Sequence, residues 1–234
     1  MDQNYYYQNQ PGMSHAMDFS QYVSRTFRWM GLGLLLTFAT AATVAYTNLI
    51  GMVYSLYLPL TIVELGLVFY LSARVTHVQV STARTLFLAY SVLNGLVMSI
   101  YFVMFNQSTL ILAFLSAALY FGIMAMYGHR TGRDLLSWGP GLRAALLAMI
   151  ITSLVGLLFR MSFMTSMLYS GLGLGLFMLI TARDVQMLQH NYQWFSRDEA
   201  MLEKSAIYGA LSLYLDFINI FLYVLQMFAR SRDN

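Results

Sequence analysis

Residues 205–228 read SAIYGALSLYLDFINIFLYVLQMF, an apolar run whose one charged side chain is Asp216. A helix needs about 20 predominantly apolar residues to cross the roughly 30 Å hydrocarbon core of a bilayer. The run is therefore long enough to span a membrane, and it carries a carboxyl group to a depth where charge is costly. We predict a membrane-spanning helix here, with Asp216 as a candidate functional residue near its middle.

The rest of the chain has the same apolar character. Of its 234 residues, 59% are hydrophobic and 10% are charged, whereas about 25% of the residues of a soluble domain are charged. A soluble domain must expose a wetted surface, so the composition indicates an all-α membrane protein with seven transmembrane helices. The predicted spans are Trp29–Ile50, Met52–Ala73, Thr85–Met104, Thr109–Tyr127, Leu142–Phe159, Met161–Ala182 and Ser205–Ala229.

The spans divide the chain into one membrane domain and two tails. Residues 1–28 are polar and rich in Tyr and Gln, so we expect a disordered N-terminal tail. The transmembrane domain covers residues 29–229, and residues 230–234 form a short C-terminal tail. The loops are too short for a second, soluble domain.

The basic residues predict the orientation of the chain. Ten lie on the side of the N-terminus, and three, Arg160, Arg230 and Arg232, lie on the other. Because cytoplasmic loops carry an excess of Lys and Arg, we expect a cytoplasmic N-terminus. The ten are Arg25, Arg28, Arg74, Arg84, Arg130, Arg133, Arg143, Arg183, Arg197 and Lys204.

Several classes of function lack the residues they need. The chain has no cysteine, which excludes disulfides, thiol catalysis and zinc–thiolate sites. Its one lysine, Lys204, precedes the last span, and all four histidines fall in predicted tails or loops, so retinal binding and intramembrane serine proteolysis have no support. The net charge of +3 is explained by cytoplasmic loops. We therefore expect neither an enzyme nor a nucleic-acid-binding protein.

Three acidic residues fall within or at the ends of spans, where ionisable side chains are functional candidates by default. For Asp216, the structural alternative is a neutral carboxyl that hydrogen-bonds Asn219 or Asn94 across helices. Asp184 lies at the cytoplasmic end of the sixth span, where a solvated carboxylate is the alternative. Glu64 lies near the middle of the second span and, with Asn219, is a secondary candidate.

Two loops and the glycines of the sixth span have recognisable patterns. Glycines and a proline in the loop at residues 128–141 favour a structured turn. The segment Ser196-Arg-Asp-Glu199 is a capping-box pattern that could begin the last helix outside the membrane. A plain connector is the alternative for both. The run Gly171-x-Gly173-x-Gly175 follows no predicted strand, so it favours close helix packing over nucleotide binding.

Four stretches resemble bacterial members of the Bax inhibitor-1 family. The most specific is SLYLDFIN at residues 212–219, and the others are YGHRTGRDL at 127–135, YSVLNG at 90–95 and GLGLLLT at 31–37. The resemblance extends from about Phe27 to Arg232, which is essentially the whole membrane domain.

This resemblance implies a central C-terminal helix surrounded by six others, and a pH-sensitive Ca²⁺ leak gated by two aspartates that share a hydrogen bond. Asp216 matches the aspartate of the last helix, and Asp184 matches its partner on the sixth. The pair would form the pH latch and the contact site for Ca²⁺, the transported ion. The residue before the sixth-helix aspartate is usually tyrosine in the family, and here it is Arg183. Arg74 resembles a basic residue that can pair with that aspartate.

The expected partners are the lipid bilayer, Ca²⁺ and protons, with no organic cofactor, and the expected location is a bacterial cytoplasmic membrane. Two other functions stay open. The chain could instead be an interaction protein that modulates a membrane protease or translocation machinery, with its Tyr-rich tail as the binding segment. It could also be a proton-coupled transporter that uses Glu64 and Asp216 as relay sites.

Overall fold

A computed structural model describes residues 17–74, 78–158 and 167–230, and within these ranges the regular structure is helical. A one-turn 3₁₀ helix at Leu136–Trp138 precedes α6. The α-helices are α1 (Phe19–Ala45), α2 (Ile50–Ser55), α3 (Tyr57–Arg74), α4 (Val80–Met104), α5 (Gln107–Arg130), α6 (Gly139–Leu158), α7 (Met167–Phe195) and α8 (Glu199–Arg230).

Six helices of the described part, α1, α3, α4, α5, α7 and α8, are long and apolar enough to cross a membrane. Each overlaps one of the predicted spans. The remaining predicted span, Leu142–Phe159, overlaps the 20-residue helix α6. The prediction of an all-helical, multi-pass membrane protein is therefore confirmed.

Helix α1 begins earlier than the sequence suggested. The Asp18 carboxylate accepts a hydrogen bond from the backbone N–H of Ser20, and the Gln21 side chain accepts one from the N–H of Asp18. This reciprocal cap starts the helix at Phe19, because it satisfies N–H groups that would otherwise lack partners. The boundary expected at Arg28 is thus displaced into the tail, whose first sixteen residues lie outside the described ranges.

The second predicted span, Met52–Ala73, is two helices rather than one. Helix α2 ends at Ser55, Leu56 adopts a non-helical conformation, and α3 begins at Tyr57. Pro59 explains the break, because its ring excludes the carbonyl four residues earlier, which belongs to Ser55, and it has no N–H to donate. In the first turn of α3 the same proline is well tolerated.

Helices α7 and α8 both extend past the predicted ends of their spans. The segment Arg183–Lys204, expected as a loop, is mostly helical and turns at residues 196–198. The last helix does begin before the predicted span, but its N-cap is Asp198, whose Oδ1 accepts from the N–H of Met201 at 3.0 Å. The capping box expected from Ser196 is therefore wrong; its hydroxyl bonds to the Gln193 carbonyl instead.

The register of the α7–α8 hairpin follows from two close approaches. Gly209 of α8 packs against the Leu188 side chain, and Gly173 of α7 packs against the ring of Tyr223. Continuing this antiparallel register along the helices places Asp216 opposite Thr181, about one turn from Asp184. Two acidic residues that are 32 positions apart in the sequence are thereby brought together.

Helix α8 is the most buried of the candidate spans. It packs against α1, α4, α5 and α7. In its most apolar 18-residue stretch 56% of the residues are buried, compared with 11% in the corresponding stretch of α3. Its fully buried side chains include Leu202, Ile207, Leu211, Leu213, Tyr214, Ile220, Phe221 and Leu225. The surroundings of Asp216 are therefore packed and shielded from solvent.

Candidate functional site

The Asp216 carboxyl is buried in the seam between α7 and α8. Its side chain is 3% exposed, and its electrostatic neighbours are Asp184, Thr181 and Arg183, all on α7. Its Oδ2 atom has no hydrogen-bond partner among the described residues. At this depth, such an oxygen is a place where a proton or a cation would be stabilised.

Asp184 is paired with the residue that precedes it. The Nη1 of Arg183 donates to its Oδ1 at 2.7 Å, and the two side chains are 18% and 13% exposed. The solvated interfacial carboxylate that we considered for Asp184 is therefore wrong. Arg74, the candidate latch partner, lies exposed at the end of α3 and makes no salt bridge within the described part of the chain. The cation beside Asp184 is Arg183.

Two glycines make room for this part of α7. A Cβ atom on Gly128 of α5 would overlap the backbone of Ala182, so α5 and α7 are in backbone contact just before Arg183. A Cβ atom on Gly139, the first residue of α6, would lie 3.3 Å from Nε and Nη2 of Arg183. The Arg183 guanidinium thus fits between the Asp184 carboxylate and the backbone at the start of α6.

The loop between α5 and α6 is fastened to α7 beside the aspartates. Gln186 accepts a hydrogen bond from the N–H of Leu135 at 2.7 Å and donates to the carbonyl of Arg133 at 2.8 Å. Gln189 donates to the carbonyl of His129 at 3.1 Å. The prediction of a structured turn is confirmed. Sequence reasoning missed both glutamines, although their spacing places them on one face of α7.

The expected amide partners of Asp216 are engaged elsewhere. The side-chain amide of Asn94 donates to Glu64, and that of Asn219 donates to the Leu215 carbonyl of its own helix at 2.8 Å. The hydrogen bond from Asn94 or Asn219 to Asp216 is therefore a wrong expectation. Asn219 instead makes a local bond on α8.

Glu64 forms a second buried polar cluster, between α3 and α4. Its side chain is 9% exposed, and besides the Asn94 amide it accepts the Tyr90 hydroxyl at 3.5 Å. The Tyr90 ring packs edge-on against that of Tyr214, whose hydroxyl lies 2.6 Å from the hydroxyl of Thr37 on α1. Asp216 faces α7 instead, so the structure does not join the two acidic sites.

The two aspartates on their own are too few to complete a Ca²⁺ site. Ca²⁺ takes six to eight oxygen ligands, whereas the described residues contain no group of three or more His, Cys, Asp or Glu side chains that could hold a metal ion. Asp184 and Asp216 contribute carboxylates from two adjacent helices. Backbone carbonyl oxygens, amide side chains or water would have to supply the remaining ligands of a bound ion.

Comparisons with known proteins identify relatives along nearly the whole chain. A family model described as "Inhibitor of apoptosis-promoting Bax1" matches residues 19–233. The inner membrane protein YbhL of Escherichia coli K12 is 35% identical over 217 residues, which cover 90% of this chain and 92% of that protein. An uncharacterized protein of Deinococcus radiodurans is 38% identical, with 91% of each chain covered. An uncharacterized membrane protein of Streptococcus pyogenes serotype M1 is 33% identical over 91% and 93% of the two chains.

Proposed function

Because this chain belongs to the Bax inhibitor-1 family, we propose that it is a pH-sensitive Ca²⁺ leak channel gated by protonation of Asp184 and Asp216. The observation that carries the proposal is the buried Asp216 carboxyl, whose Oδ2 has no hydrogen-bond partner in the described part of the chain although Asp184 is its neighbour on the adjacent helix. Such a pair can change its charge by gaining or losing a single proton.

Protonation of the pair controls the seam between α7 and α8. Two neighbouring carboxylates in a low-dielectric site cannot both ionise at low cost, so they tend to share a proton. The protonated pair lets the two helices stay close and keeps the path closed. When the proton leaves, the like charges repel, and their hard oxygens become ligands suited to Ca²⁺.

The proposed channel has seven spans, with α6 as the fifth and α8 at the centre. The packing of α8 against four other helices supports its central position. The excess of basic residues between the predicted spans on the N-terminal side supports a cytoplasmic N-terminus. A bacterial inner membrane is the proposed location, and it agrees with the name of the Escherichia coli relative.

Ca²⁺ flux into dye-loaded liposomes tests the proposal, scanned from about pH 6 to about pH 8, where perturbed carboxyl groups can titrate. Wild type is compared with Asp184→Asn and Asp216→Asn. The matched control is Asp198→Asn, which also removes a carboxylate but keeps an N-cap residue of equal quality. We expect a pH-dependent leak that both site variants change and the control does not. Flux no greater than that of empty liposomes at every pH would overturn the channel.

The alternative is a protein that regulates a membrane protease or translocation machinery through its N-terminal tail. One observation favours it: the Tyr192 hydroxyl donates to the Met17 carbonyl at 3.1 Å, so the base of the tail is fixed against the end of α7. Deleting Met1–Ala16 leaves the α1 cap intact and separates the two functions. The leak predicts unchanged flux after the deletion, whereas the alternative predicts loss of partner binding with no flux in either protein.

A further inference from the structure

The Arg183 guanidinium has an unusual position for a cation in a membrane protein. It is mostly buried, it pairs with Asp184, and its Nε atom has no hydrogen-bond partner among the described residues. It also interacts electrostatically with Asp216. The positive charge is therefore paired with Asp184, within electrostatic range of Asp216, rather than directed toward water.

The charges at this site favour a proton or a monovalent cation over a divalent cation. Two ionised aspartates carry two negative charges, and arginine stays protonated in proteins, so one negative charge remains while the guanidinium is seated. A single proton or a monovalent cation balances that remainder. A divalent cation is matched only when the guanidinium has moved away, and a nearby like charge opposes its binding at close range.

From this geometry we infer that Arg183 is a specificity-determining residue: its guanidinium occupies the Asp184–Asp216 site as a tethered cation and competes with divalent ions for the two carboxylates. The inference rests on the proposed ion path through this pair. Calcium then passes only when Arg183 is displaced, which keeps the flux at the level of a leak.

Gly139 provides a second way to displace the guanidinium. Because a Cβ atom there would lie 3.3 Å from two of the guanidinium nitrogens, a larger side chain pushes the flexible end of Arg183 out of its place. Gly139 has ordinary helical angles, φ −49° and ψ −46°, so valine fits the backbone there. Gly139→Val therefore moves the charge without removing it.

Equilibrium Ca²⁺ binding to the full-length protein in detergent tests the inference, with Ca²⁺ alone as the probe. We expect Arg183→Gln to bind Ca²⁺ roughly tenfold more tightly than wild type or better, since a nearby like charge is gone. Arg183→Lys keeps the charge and should stay close to wild type. The matched control is Arg143→Gln, which removes an exposed arginine from the same end of α6 and should change nothing.

Two further variants make the result decisive. Gly139→Val should increase Ca²⁺ affinity in the same direction as Arg183→Gln but less strongly, and it answers the question even where Arg183→Gln fails to fold. Adding Asp216→Asn to Arg183→Gln should reverse the gain. The inference is overturned if neither Arg183→Gln nor Gly139→Val binds Ca²⁺ more tightly than wild type, or if Arg143→Gln gains as much.

Liposome flux with the same variants distinguishes failure of this inference from failure of the channel. Tighter Ca²⁺ binding with no flux in any variant would reject the channel and leave the tethered cation intact. Flux that depends on Asp184 and Asp216, together with unchanged binding in Arg183→Gln, would keep the channel and reject the inference. With both correct, Arg183→Gln raises the ratio of Ca²⁺ flux to Na⁺ flux, and Arg143→Gln does not.

Discussion

Glu64 of α3 accepts a hydrogen bond from the side-chain amide of Asn94 on α4, and this pairing holds the least buried candidate span to the bundle. Glu64 and Leu71 are the buried residues of α3. One of these two buried residues thus belongs to a polar pair, whose groups would be costly to leave unpaired in hydrocarbon. The acidic residue that we regarded as a secondary functional candidate has a clear structural role.

Glu64→Ala should destabilise the protein by about 1–2 kcal/mol, because the Asn94 amide loses its acceptor in a buried place. Glu64→Gln keeps a carbonyl oxygen at the same length, so it should cost much less. Thermal unfolding of both variants in one detergent measures the difference. Equal melting temperatures for Glu64→Ala and wild type would show that α3 does not depend on this bond.

The glycines of α7 should differ sharply when each is replaced by alanine. Gly173 lies against the ring of Tyr223, whereas a Cβ atom on Gly171 or Gly175 would meet no atom within 4 Å. Gly173→Ala should therefore cost about 1–3 kcal/mol through overpacking. Gly171→Ala and Gly175→Ala should be neutral or stabilising, since alanine is the better helix former. Equal effects of the three substitutions on thermal unfolding would contradict this packing.

These glycines also show what a sequence can and cannot predict. The pattern of Gly171, Gly173 and Gly175 correctly favoured close packing, yet only Gly173 makes the close approach to α8. Which glycine faces a neighbour depends on how α7 is rotated, and the rotation follows from contacts with distant residues. The same holds for Gly33, which packs against Phe87, and Gly31, which has no close neighbour.

The six long apolar helices, and the choice of Asp184 and Asp216 as candidates, were predictable because both follow from the cost of polar groups in hydrocarbon. Long apolar runs mark the helices, and Asp216 is the one charge within the last run. Asp184 lies near Asp216 because α7 and α8 continue beyond their apolar runs. Hydropathy gives no signal for that continuation. The many polar residues between Arg183 and Phe195 therefore suggested a loop, although this segment forms the end of α7.

Gly128 is the glycine at which a substitution should disturb the aspartate site most directly. Its Cβ atom would overlap the backbone of Ala182, so neither partner can move a side chain aside. Gly128→Ala should force α5 and α7 apart and cost about 2–3 kcal/mol, the upper part of the range for overpacking. Gly122→Ala, in the same helix and with no atom within 4 Å, is the control and should be neutral or stabilising by up to about 1 kcal/mol. Equal melting temperatures for Gly128→Ala and Gly122→Ala would contradict the backbone contact between α5 and α7.

Glu203, in the first turns of α8, should make a small and salt-dependent contribution to stability. Its carboxylate pairs with Arg25 of α1 and with Arg84 of α4, the latter at 2.8 Å. Because both arginines are more than a third exposed, water and salt screen the pairs, and Glu203→Gln should cost less than about 1 kcal/mol. The cost should shrink further in about 1 M salt, where the Debye length falls to about 3 Å.

Thermal unfolding at low and high salt measures this difference. Glu199→Gln is the matched control, because it removes a carboxylate one turn earlier on α8 that makes no salt bridge with the described residues. Its small helix-dipole effect is also screened by salt, so the informative quantity is the difference between the two variants at low salt. If Glu203→Gln costs several kcal/mol, or if its cost is the same at both salt concentrations, the cluster acts as a buried ion pair that α8 needs in order to dock.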